Sequence, residues 1–211
     1  MNTQTFIKML ATQAEPVPKH WIAKSLSWPL MVGLMFSVGM SVGSIGMLPV
    51  AEIIRPIVMS KFLYAGAFAF TVLLLLLRLI KPGVPIGHAK RLPGGVMLLM
   101  LVVGLIYLIL QPQDQWQQEI LGKTWLICPW FVLGLSLPTL FGLFVAARQL
   151  AVTDARSTGF ALGLIAGAVG ALGYSFACPE ISLAFVAIWY TAGILLSGFV
   201  GRALGPRLLS W

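Results

Sequence analysis

Thr158-Gly-Phe-Ala-Leu-Gly-Leu-Ile-Ala-Gly-Ala-Val-Gly-Ala-Leu-Gly-Tyr-Ser-Phe-Ala177 is a stretch of 20 residues without a single charge. Wound as an α-helix at about 1.5 Å per residue it reaches about 30 Å, the thickness of the hydrocarbon core of a bilayer. Cys178-Pro179-Glu180 follows, and a second apolar run begins at once, over 181–201. Two spanning segments with so short a connection must form an antiparallel hairpin.

Working outward, the chain holds four more runs of this kind, at 27–47, 61–80, 94–110 and 126–147. The expectation is an all-α integral membrane protein, a six-transmembrane-helix bundle over 27–211 behind a tail of residues 1–26. Composition agrees. Of 211 residues, 59% are hydrophobic and 9% charged, with a mean hydropathy of +0.94. Soluble globular domains carry roughly 25% charged residues, and so few charges cannot coat a water-facing surface of this size. The first 25 residues lack a basic segment leading into an apolar one, so no cleavable signal peptide is expected.

The net charge of +8 does not point to nucleic acid, because the cations cluster in short loops between apolar runs. With the N-terminus inside, the inner segments carry Lys8, Lys19, Lys24, Arg78, Lys81, Lys90, Arg91, Arg148, Arg156, Arg202 and Arg207, against Arg55, Lys61 and Lys123 outside. This excess predicts that both termini are cytoplasmic, and no direct contact to nucleic acid is expected. No charged residue falls in the middle third of any run. Ion-coupled transporters and pumps usually keep one there, so that class is disfavoured, while a small channel or carrier for a neutral solute remains the alternative.

Small residues recur four apart at Gly159, Gly163 and Gly167, at Gly39 and Gly43, and at Gly193, Ser197 and Gly201. Such spacing lets helix backbones approach closely in lipid, and packing within the chain is its expected use. In the tail, Phe6, Ile7 and Leu10 cluster with Met9 on one short helix that Pro16 and Pro18 end. That apolar face is a candidate docking element for a partner's groove or a surface that lies on the membrane.

The chain has two cysteines, each followed by proline: Cys128-Pro129 and Cys178-Pro179. The topology puts both at the outer face, on helices expected to be neighbours. Pro129 is harmless in the first turn of a helix, and Pro179 is expected to end the fifth helix at Cys178. Together with Glu180, these prolines are read as support for the pair. The thiols are either ordinary buried cysteines or a redox- or metal-sensing pair in an oxidising compartment. A zinc site is not expected, since zinc takes four ligands and His20 and His88 fall on the inner side. Softer metals could bridge two thiolates. Without a C-x-x-C motif or a second pair to relay electrons, a thiol oxidoreductase is not expected either. No enzymatic activity and no cofactor are anticipated. Trp125, Trp130 and Tyr174 read as anchors at the membrane interface.

The second half carries a recognisable series: Cys128, Ser136-Leu137-Pro138, Leu143-Phe144, Gly163, Gly167, Gly170, Gly173-Tyr174, Cys178-Pro179-Glu180, Phe185, Trp189-Tyr190, Gly193, Gly205-Pro206-Arg207 and Trp211. It resembles the NrsF-type family of six-helix membrane proteins, negative regulators of an extracytoplasmic-function sigma factor. The resemblance implies an anti-sigma factor that holds its sigma factor at the inner membrane and releases it on oxidative or heavy-metal stress. It further implies that two periplasm-facing cysteines, here Cys128 and Cys178, are the sensing residues. The cytoplasmic tail would supply part of the sigma-binding surface, with the inner loops.

Overall fold

A computed structural model describes residue 3 and residues 19–80, 87–150, 152 and 154–209, with the backbone alone for 19–23. The tail residues Phe6, Ile7 and Leu10, expected to dock a partner, lie outside the described residues. Every regular element described is helical. Among the described residues, six helices are long and apolar enough to cross a membrane: α1 (Lys19–Ile45, apolar from Lys24), α2 (Pro56–Leu79), α3 (Leu92–Ile109), α4 (Cys128–Ala147), α5 (Ala155–Tyr174) and α6 (Leu183–Leu208).

Local chemistry sets the helix starts. Pro56, Pro93 and Pro129 stand in the first turns of α2, α3 and α4, where a missing N–H leaves no hydrogen bond unmade. Asp154 caps α5, its carboxylate accepting from the backbone N–H of Arg156 at 3.0 Å and of Ser157 at 3.2 Å. Ser182 opens α6 by accepting from the N–H of Phe185 at 3.3 Å. Inside α6, Val186–Tyr190 forms a π turn before the α-helix resumes at Thr191.

The charge-free stretch over 158–177 supplies most of α5, and α5 is the centre of the bundle. It packs against α6, α4, α2 and α1, and 83% of its apolar window is buried, against 22% for α1 and for α3. Glycine permits this closeness. A Cβ on Gly163 would collide with the carbonyl oxygen of Ser197, and one on Gly159 with that of Gly201. Ser197 fills the seam, donating to the Gly163 carbonyl at 2.8 Å, with the hydroxyl of Ser136 on α4 at 2.9 Å.

The stripe on α1 departs from expectation. A Cβ added at Gly39 or Gly43 would meet nothing within 4 Å. α1 instead meets the core through Gly33, Ser37 and Ser41: Gly33 faces Thr139, and Ser37 donates to the Gly170 carbonyl at 3.3 Å. Both stripes have the four-residue spacing; only the second lies on the face turned to α4 and α5.

Several boundaries also move. α2 begins at Pro56 rather than 61, which moves Lys61 from the expected first position of the helix into its second turn. α5 ends at Tyr174, four residues before Cys178, so Pro179 is not its terminator. α6 runs on to Leu208, seven residues beyond the expected 201.

Candidate functional site

Beyond Tyr174 the chain turns through Ser175–Ala177 and continues without regular structure to Ser182. This segment carries Cys178, and it is gripped by α2 and by the connections before α2 and before α4. The Leu48 N–H, between α1 and α2, donates to the Phe176 carbonyl at 3.0 Å. The rings of Phe62 and Phe176 meet edge to face at 4.8 Å. The Lys61 ammonium donates to the Cys178 carbonyl at 3.0 Å. Glu180 then reaches across to the segment that leads into α4: one carboxylate oxygen accepts from the Lys123 N–H at 2.8 Å, and from the Thr124 N–H and hydroxyl at 3.0 Å each.

Thr124 is the hinge between the cysteines. Its carbonyl accepts from the Cys128 N–H at 2.8 Å, so the carboxylate that holds Thr124 from the Cys178 side also fixes the start of the helix carrying Cys128. Gly122 makes room for that carboxylate. Its φ of 55° belongs to the left-handed region, and a Cβ there would collide with Glu180 at 2.6 Å. The Trp189 indole donates to the Ile120 carbonyl at 2.8 Å, and its ring lies 5.4 Å from that of Trp125. The connection before α4 is thereby sewn to α6 as well.

Both thiols are free and sealed, Cys128 at 0% and Cys178 at 1% exposure. They share one buried cluster with Tyr174 and Tyr190 and lie within electrostatic reach of each other. Pro129 sits in the first turn of α4, and its carbonyl packs close to Gly193 of α6. Pro179 lies in the extended segment between the two gripped residues, Cys178 and Glu180. The structure therefore brings Cys128, Cys178, Pro129, Pro179 and Glu180 to one end of the bundle.

It adds two groups that sequence reasoning passed over. Lys61 is fully buried, the one charged side chain so placed among the described residues. A buried cation is costly unless something answers its charge. Here the Cys178 carbonyl receives it directly, and both thiols and Glu180 lie in its field. The signal was available: Lys61, Tyr64, Ala65, Phe68 and Val72 share one helical face, and all are buried. The second is Tyr190, in the π turn. Its hydroxyl is buried without a hydrogen-bond partner, and the Cys178 side chain is a near neighbour. Tyr174 stacks on it with ring centres 5.8 Å apart.

Cys128 and Cys178-Pro179-Glu180 thus lie at one end of the bundle, where the alternating direction of the six runs puts them. A family model described as negative regulator of sigma F matches residues 10–211. The chain belongs to that family. Two relatives span its whole length and are themselves covered in full. The probable anti-sigma-F factor NrsF of Azospira oryzae is 30% identical over 216 residues, and the anti-sigma-F factor NrsF of Caulobacter vibrioides is 32% identical over 222 residues. No solved structure matches the chain.

Proposed function

We propose that this NrsF-family chain is a membrane-embedded anti-sigma factor that sequesters an extracytoplasmic-function sigma factor at the inner membrane. Its six helices span that membrane with both termini in the cytoplasm, as the distribution of basic residues favours. The full-length kinship with two anti-sigma-F factors is the observation that carries the partner. The tail, with Phe6, Ile7 and Leu10, and the inner loops form the docking surface.

The trigger is the thiol pair, facing the periplasm. An oxidant takes two electrons and the two thiols release two protons as a sulfur–sulfur bond forms, or a soft metal displaces the same two protons and bridges the sulfurs. The Lys61 ammonium is placed to balance negative charge on either sulfur as its proton leaves. Either event draws the start of α4 and the end of α5 into a new spacing. The segment holding Cys178 is gripped from α2, from the connection between α1 and α2 and from the connection before α4, so it cannot yield alone, and α5 carries the change about 30 Å to the cytoplasmic end. To swing a partner from almost fully bound to almost fully free, the two thiol states must differ by roughly 10⁴-fold in affinity.

Gentle purification of the full chain from its native cell, with and without a thiol oxidant, tests both parts. The expected result is a sigma factor bound before oxidation and absent after it, with Cys128→Ser retaining it in both conditions. Equal retention by the wild type would remove the thiol trigger and leave the anti-sigma role. No soluble partner in either condition would remove that role.

A further inference from the structure

The end of the bundle opposite the cysteines contains a cleft that the thiol switch does not use. It measures about 430 Å³, within the roughly 300–1,000 Å³ usual for small-molecule sites. Its mouth is lined by Lys90, Ser157 and Arg202, and its floor by Phe68, Leu164 and Leu195. Leu79 also lines the mouth, and the eleven residue steps along α2 from Phe68 to Leu79 correspond to about 16 Å of helix. The cleft thus runs from one end of the bundle towards its middle.

Packing explains the opening. α3 is pinned to α6 near its far end, where a Cβ on Gly104 would meet Ala187 and the Leu183 carbonyl. At its near end, Pro93 and Gly94 form a wall of the cleft. Lys90 and Arg202 are both exposed and make no hydrogen bond or ion pair among the described residues. Asp154 lies within electrostatic reach of Arg202, but its carboxylate is engaged by the amides of Arg156 and Ser157. Two cations stand over a long apolar slot between helices, and the amphiphile that complements them has an anionic head and a hydrocarbon chain. Basic pockets between membrane helices bind acidic lipid headgroups in this way.

We propose that the cleft between α2, α3, α5 and α6 is a binding site for an anionic phospholipid, with the phosphate at Lys90 and Arg202 and one acyl chain running towards Phe68. Native mass spectrometry of the detergent-solubilised full chain, titrated with phosphatidylglycerol or phosphatidylcholine, tests it. The wild type should prefer phosphatidylglycerol by roughly thirtyfold, what two basic side chains at an acidic headgroup supply. Lys90→Gln with Arg202→Gln should abolish the preference. Arg91→Gln with Arg207→Gln, which removes two cations that do not line the cleft, should keep it. The proposal is overturned if the wild type shows no preference. It is also overturned if the two double variants lose it equally, which would mean diffuse charge attraction. Displacement of the lipid by sn-glycerol 3-phosphate at matched concentration would likewise overturn it, because the headgroup alone would then suffice. All four substituted side chains are exposed, so the fold is expected to survive each change.

Discussion

At the cysteine end of the bundle, Glu180 alone accepts three hydrogen bonds, Lys61 is buried against the Cys178 carbonyl, and Trp189 closes on Ile120. At the opposite end, Lys90, Arg156, Arg202 and Arg207 are exposed and a cleft separates α3 from α5 and α6. The same helices are tied all round at one end, while at the other α3 stands off from α5 and α6. A change of bonding at a buried thiol meets a network with no slack, so the helices must move as bodies. At the opposite end α3 can take up movement, because the cleft separates it from α5 and α6, whereas α5 and α6 stay in backbone contact through Gly159, Gly201 and Gly205, and Arg148 donates to the Leu208 carbonyl at 2.9 Å. α5 joins the two ends, and its glycines set how tightly they are coupled.

The sharpest way to break this arrangement is therefore in α5 itself. Gly163→Leu would push a side chain into the Ser197 backbone, where nothing flexible can move aside. The expected loss is more than about 3 kcal/mol, read as collapse of the monodisperse peak and of thermal stability in detergent. Gly39→Leu, on a face with nothing within 4 Å, should leave both unchanged. Equal damage from the two would mean that Gly39 packs against something other than this chain, and the comparison of the helices would need redrawing.

A smaller effect is expected at the tied end. Glu180→Ala leaves the N–H groups of Lys123 and Thr124 without their acceptor and opens space beside Gly122. The expected cost is about 2 kcal/mol, with faster labelling of Cys178 by a water-soluble maleimide. Glu180→Gln keeps an oxygen acceptor and should recover most of the protection. If Glu180→Ala labels no faster than the wild type, the carboxylate does not hold the thiol segment closed.

The six spans were readable because a bilayer demands length and apolarity, and both are written along the chain. The cysteine pairing was also readable, since alternating direction puts Cys128 and Cys178 at one end. Lys61 was lost to a boundary: it stands first in the run at 61–80 and reads as an outer-face cation, whereas the helix starts at Pro56, where the ring fixes the first turn, and carries Lys61 into its second turn. Glu180 was legible as a support of the cysteine pair, but the partners through which it acts were not. That it caps the approach to α4 depends on Gly122 turning left-handed, which a lone glycine in a polar loop does not announce. The stripe on α1 shows the limit of spacing as a signal. Gly39 and Gly43 have the right period and the wrong face, and Gly33, Ser37 and Ser41 have both.

The mildest test falls at the opposite end. Asp154 is exposed, and its carboxyl is held below the usual carboxylate range, first by Ser157 through side chain and backbone, then by the Arg156 amide and Arg202. A depressed native value means that the charged form is favoured by folding. The contribution is therefore present above the unfolded value of about 3.9 and is lost as pH falls through the native value. Asp154→Ala should cost about 1 kcal/mol at neutral pH, the usual worth of a helix N-cap. The gap between variant and wild type should narrow once the medium is more acidic than about pH 4. Melting of both proteins in detergent across that range measures it. A gap that stays constant would show that the cap acts through shape alone. A gap much larger than a cap is worth would mean that the start of α5 is as tightly bound into the structure as the cysteine end, and the contrast between the two ends would fail.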